Sequence, residues 1–174
     1  MPSPTESLHR TRLLARGALL AGFGLVMFLF EAFLPRPLPW AKPGLANIAT
    51  LLALYTLGPG LAVTVTVLRV LLGSLLLGTF LNPGFWLSLA GGLAAAAVMA
   101  LAQRYGRAMF SVVGVSLLGA LAHVLAQLSL AGILIVQQIQ ILYLLPLLLW
   151  PALFAGGIVG IASLLLLERG VMRP

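Results

Sequence analysis

The sequence predicts an all-α integral membrane protein, a bundle of about six transmembrane helices. Of its 174 residues, 61% are apolar and only 7% are charged, whereas soluble domains carry about a quarter charged residues. The apolar residues form long runs close to the roughly 20 residues that cross a hydrocarbon core. Most basic residues lie at the ends of these runs, where membrane topology would place them.

Prolines and glycines divide the chain into its predicted helices, at residues 13–34, 45–57, 61–80, 85–103, 111–132 and 141–167. The second of these is too short for a full crossing, so we expect it to be tilted or to cross only partly. The amphipathic segment 133–140 is expected to be interfacial or to extend a helix. Pro146 and Pro151 are expected inside the sixth helix, as kinks rather than breaks.

The distribution of basic residues predicts the topology. We expect an N-terminal tail at 1–12, a six-helix domain at 13–167 and a C-terminal tail at 168–174, with both tails in the cytoplasm. The inner side would then carry seven arginines against Arg36 and Lys42 outside, a clear positive-inside bias. The inner set is Arg10, Arg12, Arg16, Arg104, Arg107, Arg169 and Arg173. The first apolar run continues to Leu34 without a cleavage motif, which indicates an uncleaved helix rather than a signal peptide.

Several kinds of chemistry are excluded by what the sequence lacks. There is no cysteine and no aspartate, and the acidic residues are Glu6, Glu31 and Glu168. This composition removes disulfides, aspartate-rich magnesium–diphosphate chemistry and any credible metal site. Neither a P-loop nor a Ser-His-acid set is present. We therefore expect no catalytic residue and no cofactor, and we attribute the net charge of +7 to topology rather than to nucleic-acid binding.

Polar residues inside the predicted helices are the candidate functional groups, because a charge in hydrocarbon costs about 3 kcal/mol or more. Arg69 lies near the middle of the third helix, and either it forms a structural polar lock, with Glu31 as a candidate partner, or it binds a ligand. His123 is either an interhelical histidine or a ligand contact, and Gln127 follows four residues later on the same face. We predict one polar pocket, open to the outside and suited to a small polar or anionic solute. Its proposed residues are Lys42, Asn47, Arg69, His123 and Gln127, with Gln138 and Tyr143 at the rim.

Small residues on the first helix predict close helix contacts. They form two overlapping sets: Gly17, Ala21 and Gly24, and Ala18 with Gly22. Either they pack inside the bundle or they dock a partner membrane protein.

Four blocks in the chain resemble a family of small bacterial membrane proteins. The stretch 42–48, Lys-Pro-Gly-Leu-Ala-Asn-Ile, resembles the family's K-x-G-L-A-N-I signature. The other blocks are at 68–73, 88–92 and 114–123, so the resemblance covers about residues 15–165. The family is known as the Gx transporter family or heptaprenyl diphosphate synthase component I. Val124 stands where the family usually has asparagine, so a ligand contact at that position is not carried over, whereas His123 and Gln127 match.

The resemblance implies a fold and two alternative functions. The family is similar to the substrate-binding S components of energy-coupling-factor transporters, which are six-helix bundles with an outward ligand pocket. Such a subunit would lie in the bacterial cytoplasmic membrane, surrounded by lipid, and would bind its solute there. The energy for transport would come from ATP hydrolysis by a separate scaffold and ATPase module, which would dock at Ala18 and Gly22. The alternative is a non-catalytic membrane subunit of a flavin- or quinone-linked electron-transfer or isoprenoid-quinone system. A regulatory subunit of a prenyl synthase is a third, weaker alternative.

Overall fold

A computed structural model describes residues 4–34, 44–106 and 108–170, and the structure in these ranges is helical without strands. Six α-helices occur, with a π-helical segment and a 3₁₀ segment before the last. Their bounds are α1 Pro4–Phe33, α2 Asn47–Thr56, α3 Pro59–Leu76, α4 Pro83–Tyr105, α5 Val112–Ala131, the π segment Gly132–Val136, the 3₁₀ segment Ile139–Leu144 and α6 Leu145–Glu168. The predicted all-helical bundle is confirmed.

Local sequence signals explain where three of the helices begin. The side chain of Asn82 accepts a hydrogen bond from the backbone N–H of Phe85 and caps α4. Ser111 caps α5 in the same way, through the N–H of Gly114. Gly58 has a φ of 94° and precedes Pro59, the first residue of α3, where a proline loses no hydrogen bond.

Three helix ends differ from the predicted ones by more than two residues. Helix α3 ends at Leu76 rather than at residue 80, and the other two differences are at the starts of α1 and α6. Helix α1 begins at Pro4 rather than near residue 13, because the polar stretch before the apolar run also forms helix, with Glu6 in its first turn. Helix α6 begins at Leu145, so Pro146 occupies its first turn and only Pro151 lies inside the helix. The prediction that Pro146 is an internal kink is therefore wrong, since the first turn is where proline fits best.

Contacts between helices establish an alternating order. Asn47 and Thr50 of α2 face Arg69 and Thr66 of α3, respectively, so these helices are antiparallel. Similar pairings show α4 antiparallel to α5 and α5 antiparallel to α6. Gly17 of α1 meets Leu61 of α3, and Phe28 meets Gly73, so α1 and α3 are parallel. Helix α4 runs parallel to α2, because its Gly92 meets Thr66, the partner of Thr50, and its Gln103 bonds the carbonyl oxygen of Leu54. The start of α1 and the end of α6 consequently lie at the same end of the bundle.

Among the residues that the structure describes, five helices are long and apolar enough to cross a membrane, and α2 is the exception. Its ten residues extend about 15 Å, half of a typical hydrocarbon core. Eight of them are buried, in a core formed with Leu20, Val65 and Met99. Large apolar side chains such as Trp150 and Phe154 are instead exposed on the outer surface of the bundle. A hydrophobic exterior around a packed interior indicates a multi-pass membrane protein.

The contact between α5 and α6 gives a direct test of this packing. A Cβ atom added to Gly156 would lie 2.8 Å from the Cβ of Ala120, whereas one added to the adjacent Gly157 would meet nothing within 4 Å. We expect Gly156→Ala to destabilise the protein by about 1–3 kcal/mol through overpacking. Gly157→Ala should be neutral or slightly stabilising, because alanine favours helix. Thermal unfolding in detergent measures both, and equal midpoints for the two variants would contradict the packing described here.

Candidate functional site

A buried arginine lies where several helices meet. Arg69 of α3 is only 3% exposed, and its Nη2 donates a hydrogen bond of 2.5 Å to Oδ1 of Asn47, the first residue of α2. Its Nε has no hydrogen-bond partner within the described part of the chain. A guanidinium carries five N–H donors, so this contact leaves hydrogen-bonding capacity unused inside the protein.

One turn further along, a threonine pair joins the same two helices. The hydroxyl oxygens of Thr50 and Thr66 are 2.8 Å apart and fully buried. Thr66 Oγ1 lies 2.9 Å from the carbonyl oxygen of Ala62 and donates to it, which makes Thr50 the donor to Thr66. The Arg69–Asn47 and Thr50–Thr66 contacts together fix the register of α2 against α3 next to the buried arginine.

Glu31 provides the negative charge of the cluster. Its side chain is 2% exposed, and Oε1 accepts a hydrogen bond of 3.2 Å from the backbone N–H of Ala46. That N–H lies just before α2, where the helix dipole favours a carboxylate. Glu31 and Arg69 line the same small cavity, so opposite charges lie near each other in a low-dielectric interior, where their attraction is stronger than in water.

His123 and Gln127 lie on the face of α5 that packs against α4. A Cβ atom added to Gly91 of α4 would come within 2.8 Å of Gln127 Cγ and 2.9 Å of His123 Nε2, so only glycine leaves them room. Gln127 is 5% exposed, and within the described residues its Nε2 has no hydrogen-bond partner. Gln127 Nε2 thus resembles Arg69 Nε, since both are buried donors that have no acceptor among the described residues.

Two small cavities adjoin these residues and share three lining residues, Gly44, Asn47 and His123. The cavity on the Arg69 side has a volume of about 10 Å³ and also touches Glu31 and Ser88. The cavity toward α6 has a volume of about 20 Å³. Since one water needs about 10–15 Å³ measured in this way, each cavity holds about one water molecule and is too small for a larger solute.

The structure thus brings together part of the predicted set. Asn47, Arg69 and His123 line the cavities, Gln127 lies beside His123 without lining either one, and Lys42 lies outside the described residues. Their role in ligand binding stays a prediction. Gln138 lines a separate groove and not these cavities, and Tyr143 is 85% exposed. No three metal-binding side chains cluster in the described ranges.

The small residues of α1 divide between two faces. Gly17, Ala21 and Gly24 are buried against the bundle, whereas Ala18 and Gly22 are exposed. A Cβ atom on Gly22 would meet nothing within 4 Å, whereas one on Gly24 would lie 2.9 Å from Ala49. The first set therefore serves internal packing, and the second leaves a shallow face on the outside of α1, whose role in docking stays a prediction.

These features define a multi-pass helical membrane protein that encloses a polar cluster. Residues 20–166 match the heptaprenyl diphosphate synthase component I family, and the chain belongs to that family. This match confirms the resemblance of the four sequence blocks to the heptaprenyl diphosphate synthase component I family. No curated protein and no solved structure matches the chain.

The Arg69–Asn47 contact can be tested by a double-mutant cycle. We expect Asn47→Leu to destabilise the protein by about 1.5–3 kcal/mol, because a buried charged donor loses its acceptor. Combined with Arg69→Met, the loss should be smaller than the sum of the single losses by about 1 kcal/mol or more. Unfolding in mixed detergent micelles measures each variant. The control cycle combines Asn47→Leu with Leu68→Met, a change at an exposed neighbour of Arg69, and its two losses of unfolding free energy should add. If the losses add in both cycles, the Arg69–Asn47 contact contributes nothing to stability.

Proposed function

We propose that the protein is a non-catalytic, S-component-like membrane subunit that binds a small polar or anionic solute at the Arg69 cluster and depends on a partner ATPase module for transport. One observation carries the proposal. A guanidinium is held in the membrane-spanning region beside cavities whose walls bring Asn47 and His123 together. An ionisable group at such depth is costly and is a functional candidate by default.

The unused donors support a solute that offers acceptor atoms. Within the described ranges, Arg69 Nε and Gln127 Nε2 are both buried without an acceptor, and each such group costs about 1–3 kcal/mol. A carboxylate, a phosphate or a carbonyl-bearing ring would satisfy them. Because the Glu31 carboxylate lines the same cavity as Arg69, the cluster does not require a multiply charged solute.

Transport from the outside fits the charge distribution. Glu31 lies in the last turn of α1, at one end of the bundle. The basic residues of α1 lie toward the other end, in the first half of the helix: Arg10, Arg12 and Arg16. If the arginines face the cytoplasm, as the positive-inside rule requires, the cluster lies in the outer half of the membrane and both bundle termini are cytoplasmic. The cavities admit only water-sized molecules, so binding requires α2 and α5 to move apart around Asn47 and His123.

A solute screen tests the proposal. Purified protein in detergent is mixed with monocarboxylates, phosphate monoesters, diphosphates and neutral heterocyclic amides, and its thermal unfolding is followed. We expect one of these classes to raise the midpoint by several degrees, because a ligand that binds the folded state stabilises it. The shift should vanish in Gln127→Met, which keeps the volume and removes the unpaired amide, so that its own midpoint is not lowered.

Leu125→Ala provides the matched control for that screen. Leu125 lies on α5 between His123 and Gln127 but is 43% exposed, so its truncation should leave the solute-induced shift unchanged. The proposal fails if none of the four solute classes shifts the midpoint, or if the shift persists in Gln127→Met.

The exposed face of α1 is the proposed docking surface for the partner. We expect the double variant Ala18→Leu and Gly22→Leu to keep its unfolding midpoint and to lose its partner during gentle solubilisation and co-purification, because close helix approach needs small residues. Ala97→Leu, a small-to-large change at another exposed position, should retain the partner. Undiminished co-purification with the double variant would remove this face from consideration.

A second candidate function follows from the family name, which describes a component of a heptaprenyl diphosphate synthase. In this alternative the protein is a non-catalytic membrane subunit of an isoprenoid-quinone or flavin- and quinone-linked system. The co-purification above separates the two candidates. An ATPase pair would favour the transport subunit, and a prenyl synthase or a flavin-carrying protein would favour the alternative.

A further inference from the structure

An open groove lies at the junction of α5 and α6, apart from the Arg69 cluster. Here α5 widens into the π segment, and the chain turns through Gln137 at a φ of 54° before entering the 3₁₀ segment. The groove has a volume of about 480 Å³ and is lined by Ser129, Gly132, Ile133, Gln137, Gln138, Ile141 and Leu142. It shares no lining residue with the two cavities.

The local backbone of the groove is unusual in two ways. π-helical turns occur often at functional sites, and a non-glycine residue with positive φ is uncommon. The buried Gly132 also leaves room for Ile141, since a Cβ there would lie 2.9 Å from the Ile141 side chain. Gly132 thus lets the two segments meet closely at one point, and the groove beside this contact has a volume within the range of small-molecule sites, about 300–1,000 Å³.

The lining combines an apolar floor with uncharged polar groups. Ile133, Ile141 and Leu142 supply the aliphatic surface, and Ser129 with the two glutamines supplies hydroxyl and amide groups. All seven lining residues are uncharged. Phosphate recognition relies on Arg or Lys, so this lining does not suit a phospholipid headgroup, whereas the amides can both donate to and accept from a neutral head.

We propose that this groove binds one membrane amphiphile whose apolar chain ends in an uncharged hydroxyl or carbonyl head. The chain lies against the aliphatic floor, and the head lies at Gln137, Gln138 and Ser129. The exposed Ile133, Leu134 and Ile135 leave the groove open to the surrounding lipid, so the amphiphile enters sideways from the bilayer. This site is additional to the proposed solute site and does not depend on it.

Photolabelling of the full-length protein in phosphatidylcholine nanodiscs tests the groove. The probe is a monoacylglycerol with a photoactivatable diazirine in its acyl chain, and adducts are located by peptide mass spectrometry. We expect adducts to concentrate on residues 129–142 and to be competed by unlabelled monoacylglycerol but not by phosphatidylglycerol. Ile133→Trp, which fills the groove, should lower labelling by about fivefold, equivalent to roughly 1 kcal/mol.

Two further variants separate a specific site from general lipid contact. Ile161→Trp introduces the same side chain at another exposed isoleucine, which is 53% exposed and does not line the groove. This variant should leave labelling unchanged. Gln138→Leu should reduce labelling by about threefold through loss of a hydrogen bond. Adducts spread evenly over the lipid-facing helices, equal competition by phosphatidylglycerol, or equal effects of the two tryptophan variants would each overturn the proposal.

Discussion

The interior of this protein is organised around the polar partners that a guanidinium needs when it is buried away from bulk water. Asn47 accepts a hydrogen bond from Arg69, and Glu31 lies on the same cavity while it also holds the N–H before α2. Removing one partner from a buried charge leaves the other uncompensated, which is far more costly than losing an exposed pair. The arginine therefore fixes the start of α2, the end of α1 and the middle of α3 relative to one another.

The fold could be predicted because the membrane imposes simple rules on sequence. Long apolar runs must form helices in lipid, and the breaks at Gly58-Pro59 and Asn82-Pro83 lie where helices end and begin. The N-terminal limit of α1 was not predictable in this way, since residues 4–12 lie outside the apolar run and form helix through local polar interactions. The position of Pro146 was missed because hydropathy does not distinguish the 3₁₀ segment from the helix that follows it.

The candidate site was predicted only in part, and the reason is geometric. Rare polar residues in an apolar chain identified Asn47, Arg69, His123 and Gln127 as unusual, and the structure brings them to neighbouring positions. The hydrogen bond from the backbone N–H of Ala46 to Glu31 could not be predicted from the sequence, because every residue except proline has a backbone N–H. Gln138 was expected at the rim of the same pocket because it lies at the outer end of the fifth and sixth helices, but it lines a separate groove next to the left-handed turn at Gln137.

The short length of α2 has a consequence for how the protein is made. Its ten residues cover about half of the hydrocarbon thickness, so the segment has no stable transmembrane state while it is alone in the bilayer. It packs against α1, α3, α4 and α6, and Glu31 and Arg69 bond the polar groups at its start. The position of α2 is therefore set by tertiary contacts rather than by its own hydropathy, and we expect it to reach its final orientation only as the surrounding helices assemble.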